Sequence, residues 1–261
     1  MNLQLNHRNA LIGGSSKGIG FAAAQELALL GANITLMSRS ASDLTAALAQ
    51  LDTTQGQKHS YLCVDFAQPD ELQRIVTEHV AQNPIHILVN NTGGPPAGAA
   101  HLAGIAEYLS AFNNHLVCNQ ILVQCCVESM KAAGFGRIIN VISTSVKQPL
   151  DNLGVSNTIR GAVASWAKTL ANELGKWQIT VNNVLPGATA TERLSAIINN
   201  DAARNNHTTD EVALKMQATI PLNRFAEPNE VGAAIAFLAS PAAAYINGVN
   251  LPVDGGRTKS L

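Results

Sequence analysis

The sequence predicts a doubly wound α/β domain, with a central parallel sheet of about seven strands and helices on both faces. Short apolar runs rich in β-branched residues alternate along the chain with longer amphipathic stretches. That alternation is typical of right-handed βαβ units, in which helices cover a parallel sheet. No proline-rich or charged linker divides the 261 residues, so we expect one domain over residues 1–261.

The individual elements follow from two periodicities. Apolar runs of about five residues, each bounded by turn-forming residues, predict strands at Arg8–Gly13, Asn33–Ser38, Ser60–Val64, His86–Asn90, Arg137–Ile142, Thr180–Leu185 and Val249–Val253. The amphipathic stretches between them predict helices at Gly18–Leu30, Ser42–Leu51, Pro69–Ala81, Gly104–Ala133, Gly154–Leu174 and Glu230–Ala239.

One segment, from about residue 188 to residue 223, breaks this alternation. It is polar and rich in asparagine. It follows the carboxyl end of a predicted strand, and in a doubly wound fold ligands bind beyond those ends. A long excursion at that place predicts a substrate lid, with an irregular surface loop as the alternative.

Composition argues against several classes of function. The formal net charge is −1 and there is no basic block, so we do not expect a surface that binds the phosphates of a nucleic acid. No apolar run has the length of a membrane span, and the first residues do not resemble a signal peptide. The cysteines form no Cys-x-x-Cys pair, which favours free thiols in a reducing cytoplasm over disulfides or a metal site; they are Cys63, Cys118, Cys125 and Cys126.

A glycine-rich turn follows the first predicted strand. Residues 13–20 read Gly-Gly-Ser-Ser-Lys-Gly-Ile-Gly, which is a G-x-x-x-G-x-G pattern. Glycines permit a tight turn and a close backbone approach to a pyrophosphate, and the following helix presents free N–H groups to the anion. The strand before the turn and the helix after it are the context that a dinucleotide site requires. The predicted contacts are Gly14, Ser16, Lys17, Gly18, Ile19 and Gly20.

With this turn in place, the chain resembles the short-chain dehydrogenase/reductase family over nearly its whole length. The resemblance implies a Rossmann fold and an oxidoreductase that uses a nicotinamide dinucleotide and a small-molecule substrate. Gly13 departs from the pattern, because threonine is usual at that position. Further motifs that match the family are Asn90-Asn91-Thr92-Gly93, Pro221-Leu222-Asn223-Arg224 and Val253-Asp254-Gly255-Gly256.

The same resemblance implies several cofactor contacts outside the glycine turn. Asp65, after the third strand, matches the acidic residue that holds the adenine ring. Asn91 lies in the motif after the fourth strand. Pro186 and Gly187, with Thr191 five positions after the proline, resemble the loop that holds the nicotinamide carboxamide.

The end of the second strand predicts which dinucleotide is bound. An acidic residue there would bond the ribose 2′-hydroxyl and repel a 2′-phosphate, whereas an arginine can make a two-pronged bond to the phosphate. This strand ends in Ser38-Arg39-Ser40 and carries no acid. Lys17 adds a second cation on the same side. The predicted cofactor is therefore NADP(H).

The catalytic pattern of the resembled family is only partly present. That pattern is a serine, a Tyr-x-x-x-Lys pair and an asparagine from the long helix. Ser143 stands at the serine position, but Ser156 and Arg160 stand where the tyrosine and the lysine are expected. A serine hydroxyl is much less acidic than a phenol and arginine stays protonated, so this pair should not pass a proton at neutral pH. Arg160 can still hold ribose hydroxyls or stabilise a developing alkoxide.

His115 lies at or beside the asparagine position, and a slip of one residue would restore Asn114 there. Because imidazole titrates near neutral pH, His115 is the candidate for a replacement acid. Three hypotheses remain. They are a reductase that uses His115, a reductase of an activated C=C or C=N bond that needs little proton assistance, and a catalytically inactive dinucleotide-binding sensor or partner subunit. The intact cofactor motifs favour an oxidoreductase of a small carbonyl compound or an activated double bond.

Two helices carry more apolar residues than one face of a sheet should need. They are the segments Glu107–Ala133 and Ser156–Leu174, and the second includes Val163, Trp166 and Leu170. Members of the resembled family pair these helices across subunits, commonly with closed symmetry. We therefore expect a homotetramer, with a dimer as the alternative.

Overall fold

Seven parallel strands form one sheet at the centre of the molecule. The computed structural model describes residues 1–260. The strands are β1 (Asn9–Gly13), β2 (Asn33–Ser38), β3 (Ser60–Cys63), β4 (Ile87–Asn90), β5 (Gly136–Val141), β6 (Ile179–Pro186) and β7 (Asn250–Val253). Their spatial order is β3-β2-β1-β4-β5-β6-β7, and every neighbouring pair is parallel. This is the predicted doubly wound architecture.

Nine α-helices connect these strands within the described residues. They are α1 (Gly18–Leu29), α2 (Ala41–Leu48), α3 (Pro69–Gln82), α4 (Ile105–Phe112), α5 (Cys118–Ala133), α6 (Gly154–Leu174), α7 (Glu192–Asn205), α8 (Thr209–Ala218) and α9 (Pro228–Ala239). The long helix predicted from residue 104 to residue 133 is divided. A π-helical turn over Asn113–Val117 separates α4 from α5. Within residues 1–260, no helix is both long and apolar enough to cross a membrane.

Two apolar layers cover the two faces of the sheet. Consecutive side chains of a strand point to opposite faces, and in β1 Ile12 belongs to one buried cluster while Leu11 belongs to the other. The first cluster contains Leu27 of α1 and Ile235 of α9. The second contains Leu122 of α5, together with side chains of α3 and α6. Burial on both faces explains why the strands are continuously apolar in sequence.

The segment that was expected to be a lid is helical. Helices α7 and α8 occupy most of residues 188–223, and the sequence prediction assigned no helix there. Their apolar side chains, Leu194, Ile198 and Val212, bury one another in a small cluster of their own. Because this contact uses only a few apolar residues from each helix, the segment is polar overall and its sequence pattern did not indicate helices. Its movement as a lid stays a prediction.

Candidate active site

The turn between β1 and α1 depends on glycine at specific positions. Gly14 and Gly18 have φ values of 53° and 60°, in the left-handed region that side chains disfavour. A Cβ atom on Gly20 would lie 2.3 Å from the carbonyl oxygen of Gly14. The chain therefore turns tightly, as a phosphate-binding loop requires; a side chain would be strained at Gly14 and Gly18 and would clash at Gly20.

Side chains from neighbouring strands hold this turn in place. Asn91, which follows β4, donates from Nδ2 to the carbonyl oxygens of Gly13 and Gly14, both at 3.1 Å. Ser15 Oγ accepts from the backbone N–H of Met37 in β2 at 2.9 Å. No side chain caps the N-terminus of α1 among the described residues. Its first N–H groups are therefore available, so the residues present fit the pyrophosphate of a dinucleotide.

Arg39 and Lys17, which were predicted to bind the 2′-phosphate, have different surroundings. Arg39 is exposed at the end of β2 and forms no ion pair with any residue from 1 to 260. Lys17 forms a hydrogen-bonded ion pair with Glu192, the first residue of α7. This carboxylate raises the pKa of the Lys17 ammonium. Lys17 thus connects the glycine turn to the predicted lid, which its sequence context did not indicate.

The remaining predicted cofactor residues lie along the same edge of the sheet. Asp65 accepts from the N–H of Ala67 at 3.0 Å, which orders the turn after β3. Pro186 ends β6, and a Cβ on Gly187 would lie 2.7 Å from Cα of Asp254, so only glycine fits there. Thr191 caps α7, with its hydroxyl accepting from the N–H of Leu194 at 3.4 Å.

Thr191 also shows how close the predicted lid lies to the glycine turn. A Cβ built on Gly18 would be 3.5 Å from Cγ2 of Thr191. The start of α7 therefore lies directly over the turn. The predicted carboxamide-binding segment therefore lies next to the predicted pyrophosphate-binding segment.

Arg160 joins the catalytic helix to the end of β5. Its Nη1 donates to the carbonyl oxygen of Val141 at 2.8 Å, two residues before Ser143. The side chain is only 8% exposed, and its buried Nε has no partner among residues 1–260. Burial, followed by the like charge of Arg193, lowers the pKa of Arg160 to about 10, so it remains a cation at neutral pH.

The two candidate serines differ in how they are held. Ser143 follows β5, and its Oγ accepts from the backbone N–H of Ser145 at 3.1 Å. That contact orients the hydroxyl and leaves its proton free to be donated. Ser156 is buried one helical turn before Arg160, and its hydroxyl has no hydrogen bond within the described part of the chain.

His115 lies in the π-helical turn and is 3% exposed. Its Nδ1 is 2.8 Å from Oγ1 of Thr92, in the motif after β4. Asn114 instead accepts from Asn113 at 3.4 Å, so His115 and not Asn114 contacts the loop after β4. Insertions of this kind into a helix are frequent at functional sites, because they redirect one side chain.

The surroundings of His115 disfavour the charged imidazole that a replacement acid requires. Burial, and then the charges of Arg160 and Arg193, lower the pKa of its imidazole to about 2. An imidazole titrates near neutral pH only while water can solvate its charged form, and that solvation is lost here. His115 is therefore neutral at physiological pH. It can donate or accept hydrogen bonds, but it is not protonated and so cannot act as an acid.

A cavity of about 710 Å³ begins at Thr144, directly after Ser143, and none of the predicted site residues lines it. Its walls come from the segment after Ser143, from the end of α8 and from the last residues described. The lining includes Thr144, Gln148, Leu150, Ile220, Pro221 and Thr258. Its size is in the range of small-molecule sites.

The fold corresponds to that of known proteins. A sequence model of the family described as enoyl-(acyl carrier protein) reductase matches residues 14–258. The chain belongs to the short-chain dehydrogenase/reductase family. D-threitol dehydrogenase of Mycolicibacterium smegmatis is 32% identical over 258 residues, which cover 98% of this chain and 95% of that relative.

Solved structures agree with this assignment. L-sorbose reductase from Gluconobacter frateurii, in complex with NADPH and L-sorbose, has a TM-score of 0.93 and 31% identity over the full length of both chains. YwfH, an NADPH-dependent reductase involved in bacilysin biosynthesis, has a TM-score of 0.90 and 27% identity, and the match covers 97% of this chain and 99% of that one. The predicted family, fold class and oxidoreductase class are confirmed, and NADP(H) is the cofactor that these neighbours use.

Sequence reasoning missed two residues that shape this short-chain dehydrogenase/reductase cleft. Arg193 donates from Nη1 to the carbonyl oxygen of Gly94 at 2.8 Å and from Nη2 to that of Pro95 at 3.2 Å. Glu192 pairs with Lys17. The sequence signal was Thr191 followed by Glu192, a cap and an acid that mark the start of a helix. That signal shows where α7 begins, but not what its first turn contacts.

Proposed function

We propose that this protein is an NADP(H)-dependent oxidoreductase with an atypical active site, in which Ser156 and Arg160 replace a tyrosine and a lysine. Its substrate is a small carbonyl compound or an activated double bond. The observation that carries the proposal is the bond from Arg160 to Val141. It fixes a buried guanidinium beside the strand that ends at Ser143, at the edge of the sheet where the glycine turn lies.

The residues present support a nucleotide with a 2′-phosphate. Arg39 has no acidic partner among residues 1–260, and no acid ends β2. The proposed dinucleotide contacts are the glycine turn, Asp65, Asn91 and Arg160, with Pro186, Gly187 and Thr191 on the lid side. On binding the nucleotide, Lys17 would leave its ion pair with Glu192 and pair with the phosphate instead, because the two anions compete for one ammonium group.

When bound, NADPH supplies a hydride from its nicotinamide ring. Ser143 then orients the substrate oxygen through its hydroxyl. Arg160 stabilises the charge that develops on this oxygen when the electron pair of the double bond moves to it. With a carbonyl substrate the oxyanion takes a proton from water. With a conjugated double bond the charge forms an enolate, and water protonates its carbon.

The proton source separates this mechanism from a reductase that uses a side-chain acid. Ser156 is too weak an acid, and His115 is neutral with a pKa of about 2. A neutral imidazole still serves as a hydrogen-bond donor to an oxyanion. These properties favour a substrate that needs little proton assistance. A catalytically inactive sensor or partner subunit is the alternative, and it predicts cofactor binding without turnover.

The proposed function is tested by titrating the protein with NADPH and NADH and then assaying it with ketones, enones and imines. We expect NADPH to bind at least tenfold more tightly than NADH. Arg39→Ala should remove most of that difference and leave NADH binding unchanged, while Arg74→Ala, at an exposed arginine of α3, serves as the matched control. Equal binding of the two nucleotides to the parent protein would contradict the cofactor assignment. NADPH binding without turnover of any substrate would favour the inactive alternative.

We propose that this enzyme forms a homo-oligomer and is located in the cytoplasm. All four cysteines are free thiols, which supports a reducing compartment. A homotetramer is proposed, with a dimer as the alternative. Residues 188–223 are proposed to close over bound substrate, because α7 contacts both the glycine turn and the loop after β4.

A further inference from the structure

Two arginines share one end of the cleft without an acidic partner. Arg160 comes from α6 and bonds only a backbone carbonyl. Arg193 comes from the first turn of α7 and also bonds only backbone carbonyls. Among residues 1–260, neither guanidinium forms a salt bridge. Carbonyl oxygens satisfy N–H groups but do not neutralise a charge, so the positive charge in this region is uncompensated.

Arg193 is an exposed residue, but two hydrogen bonds hold its guanidinium in a fixed position. Its two terminal nitrogens bond the consecutive carbonyls of Gly94 and Pro95. A Cβ on Gly94 would lie 2.6 Å from Nη2 of Arg193, so the guanidinium occupies the space that a side chain would need. A guanidinium that is already positioned loses little conformational freedom when it binds an anion.

The charges of both arginines reach the reacting end of the cleft. Gly94 is two residues after Thr92, whose hydroxyl contacts His115. Arg160 and Arg193 both lower the pKa of His115, after the larger effect of burial. Arg193 also lowers the pKa of Arg160. The site therefore lies in a positive field next to the position proposed for the reacting group.

We propose that the substrate carries a carboxylate close to the group that is reduced, and that Arg193 binds this carboxylate with Arg160 adding to the countercharge. The substrate class is that of 2-oxo, 3-oxo or α,β-unsaturated acids. Guanidinium and carboxylate match in geometry, and their charge-assisted hydrogen bonds are strong where water is excluded. A neutral substrate would leave the cationic pair uncompensated after the cleft closes. This inference rests on the proposed function, because it places the carboxylate relative to the reacting group.

The test uses inert analogues and does not require turnover. The protein is saturated with NADPH and titrated calorimetrically with oxamate and malonamate, which mimic 2-oxo and 3-oxo acids. Oxamide and malonamide are their neutral counterparts. We expect at least one acid to bind at least tenfold more tightly than its amide. Arg193→Gln should remove that preference, Arg193→Lys should retain part of it, and Arg204→Gln, at an exposed arginine later in α7, should leave it unchanged.

A second variant tests the position of the guanidinium without removing its charge. Gly94→Ala places a methyl group where Arg193 now lies, so it should also weaken acid binding at least tenfold while NADPH affinity stays within twofold. Acids that bind no better than amides, or a preference that survives Arg193→Gln, would overturn the proposal. So would a tenfold loss of NADPH affinity in Arg193→Gln, because the charge would then serve the cofactor. Failure of the parent protein to bind NADPH would instead overturn the proposed function.

Discussion

At the residue scale, the proposed active site combines a strong, permanent cation with hydroxyls that cannot act as acids. Arg160 is buried and stays charged, while Ser143 and Ser156 offer hydrogen bonds only. Such a site can orient an oxygen and stabilise negative charge, but it has no side chain that gives up a proton at neutral pH. Reduction of ordinary ketones should therefore be slow.

Restoring the family's usual pair tests this conclusion. Ser156→Tyr combined with Arg160→Lys should raise ketone reductase activity by about 10²-fold or more, because a positioned acid contributes about 10²–10⁴-fold. Steady-state NADPH oxidation with a simple ketone measures the change. Ser156→Ala is the control and should alter activity less than about threefold. Loss of a robust native activity in Ser156→Ala would show that this serine has a chemical role.

The buried His115 makes stability depend on pH. Its pKa is about 2 in the folded protein and about 6.5 in the unfolded chain. Below pH 6.5 the unfolded state therefore binds a proton that the folded state does not, and the free energy of unfolding falls as the pH falls. From pH 7 to pH 5 this one group should cost about 2 kcal/mol.

Urea unfolding of His115→Asn at the two pH values measures that term. The variant should lose about 2 kcal/mol less than the parent protein between pH 7 and pH 5. His101→Asn, at an exposed histidine, should behave like the parent. An identical pH dependence in parent and His115→Asn would mean that His115 is solvated in the folded state.

At the element scale, a row of asparagine side chains runs through the sheet. Asn90 donates to Asn140 at 2.8 Å, Asn140 to Asn183 at 2.9 Å, and Asn183 to Asn250 at 2.8 Å. These residues are paired in register across β4, β5, β6 and β7. Each amide can donate to one neighbour and accept from the other, so the row pins the register of four strands.

Removing an inner member of the row should be costly. Asn140→Ala leaves the amide nitrogen of Asn90 and the amide oxygen of Asn183 buried without a partner. Each unsatisfied group costs about 1–3 kcal/mol, so unfolding free energy should fall by about 2–5 kcal/mol. Asn250→Ala, at the half-buried end of the row, leaves only the amide nitrogen of Asn183 without a partner and should cost about 1–3 kcal/mol, roughly half as much. Urea unfolding measures both, and equal losses would contradict a cooperative row.

The helices over the cleft also act as an element. The first turn of α7 bonds the glycine turn through Glu192 and the loop after β4 through Arg193. The proposed cofactor phosphate and the proposed substrate carboxylate therefore compete with or add to contacts that hold one helix.

At the scale of the whole molecule, an exposed apolar surface supports the proposed assembly of several copies of the chain. Leu102, Ile105, Leu109 and Phe112 are exposed at spacings of three and four residues, on one side of α4 and the turn before it. A contiguous apolar stripe is unfavourable in water and typical of an interface. Val163, which was predicted to contribute, is instead buried in its own subunit, and Trp166 bonds Gln120 of the same chain.

A single charge on this stripe should weaken assembly. Leu109 and Leu214 are both 65% exposed, but Leu214 lies on α8, away from the stripe. Leu109→Glu should shift a tetramer or dimer toward smaller species in light scattering at micromolar concentration. Leu214→Glu should leave the mass unchanged. A parent protein that is monomeric at that concentration would refute the proposed assembly.

The sequence by itself determined the architecture and the cofactor-binding turn. Both depend on local information. Alternating periodicity specifies strands and helices; glycine suits the backbone at Gly14 and Gly18, and it leaves room for the carbonyl of Gly14 at Gly20. The proposed replacement of tyrosine and lysine by Ser156 and Arg160 also comes from the sequence, because it rests only on spacing from neighbouring motifs.

Only the tertiary structure decided the electrostatics of the site. The intrinsic titration range of imidazole predicted His115 as a replacement acid, but its pKa depends on burial and on two arginines that are distant in sequence. Arg193 is an ordinary helix residue in sequence and reaches the cleft only because α7 packs against the loop after β4. The asparagine row likewise joins residues up to 160 positions apart. Charge, desolvation and long-range hydrogen bonds depend on which side chains the fold brings together. The periodicity of the sequence does not specify those contacts.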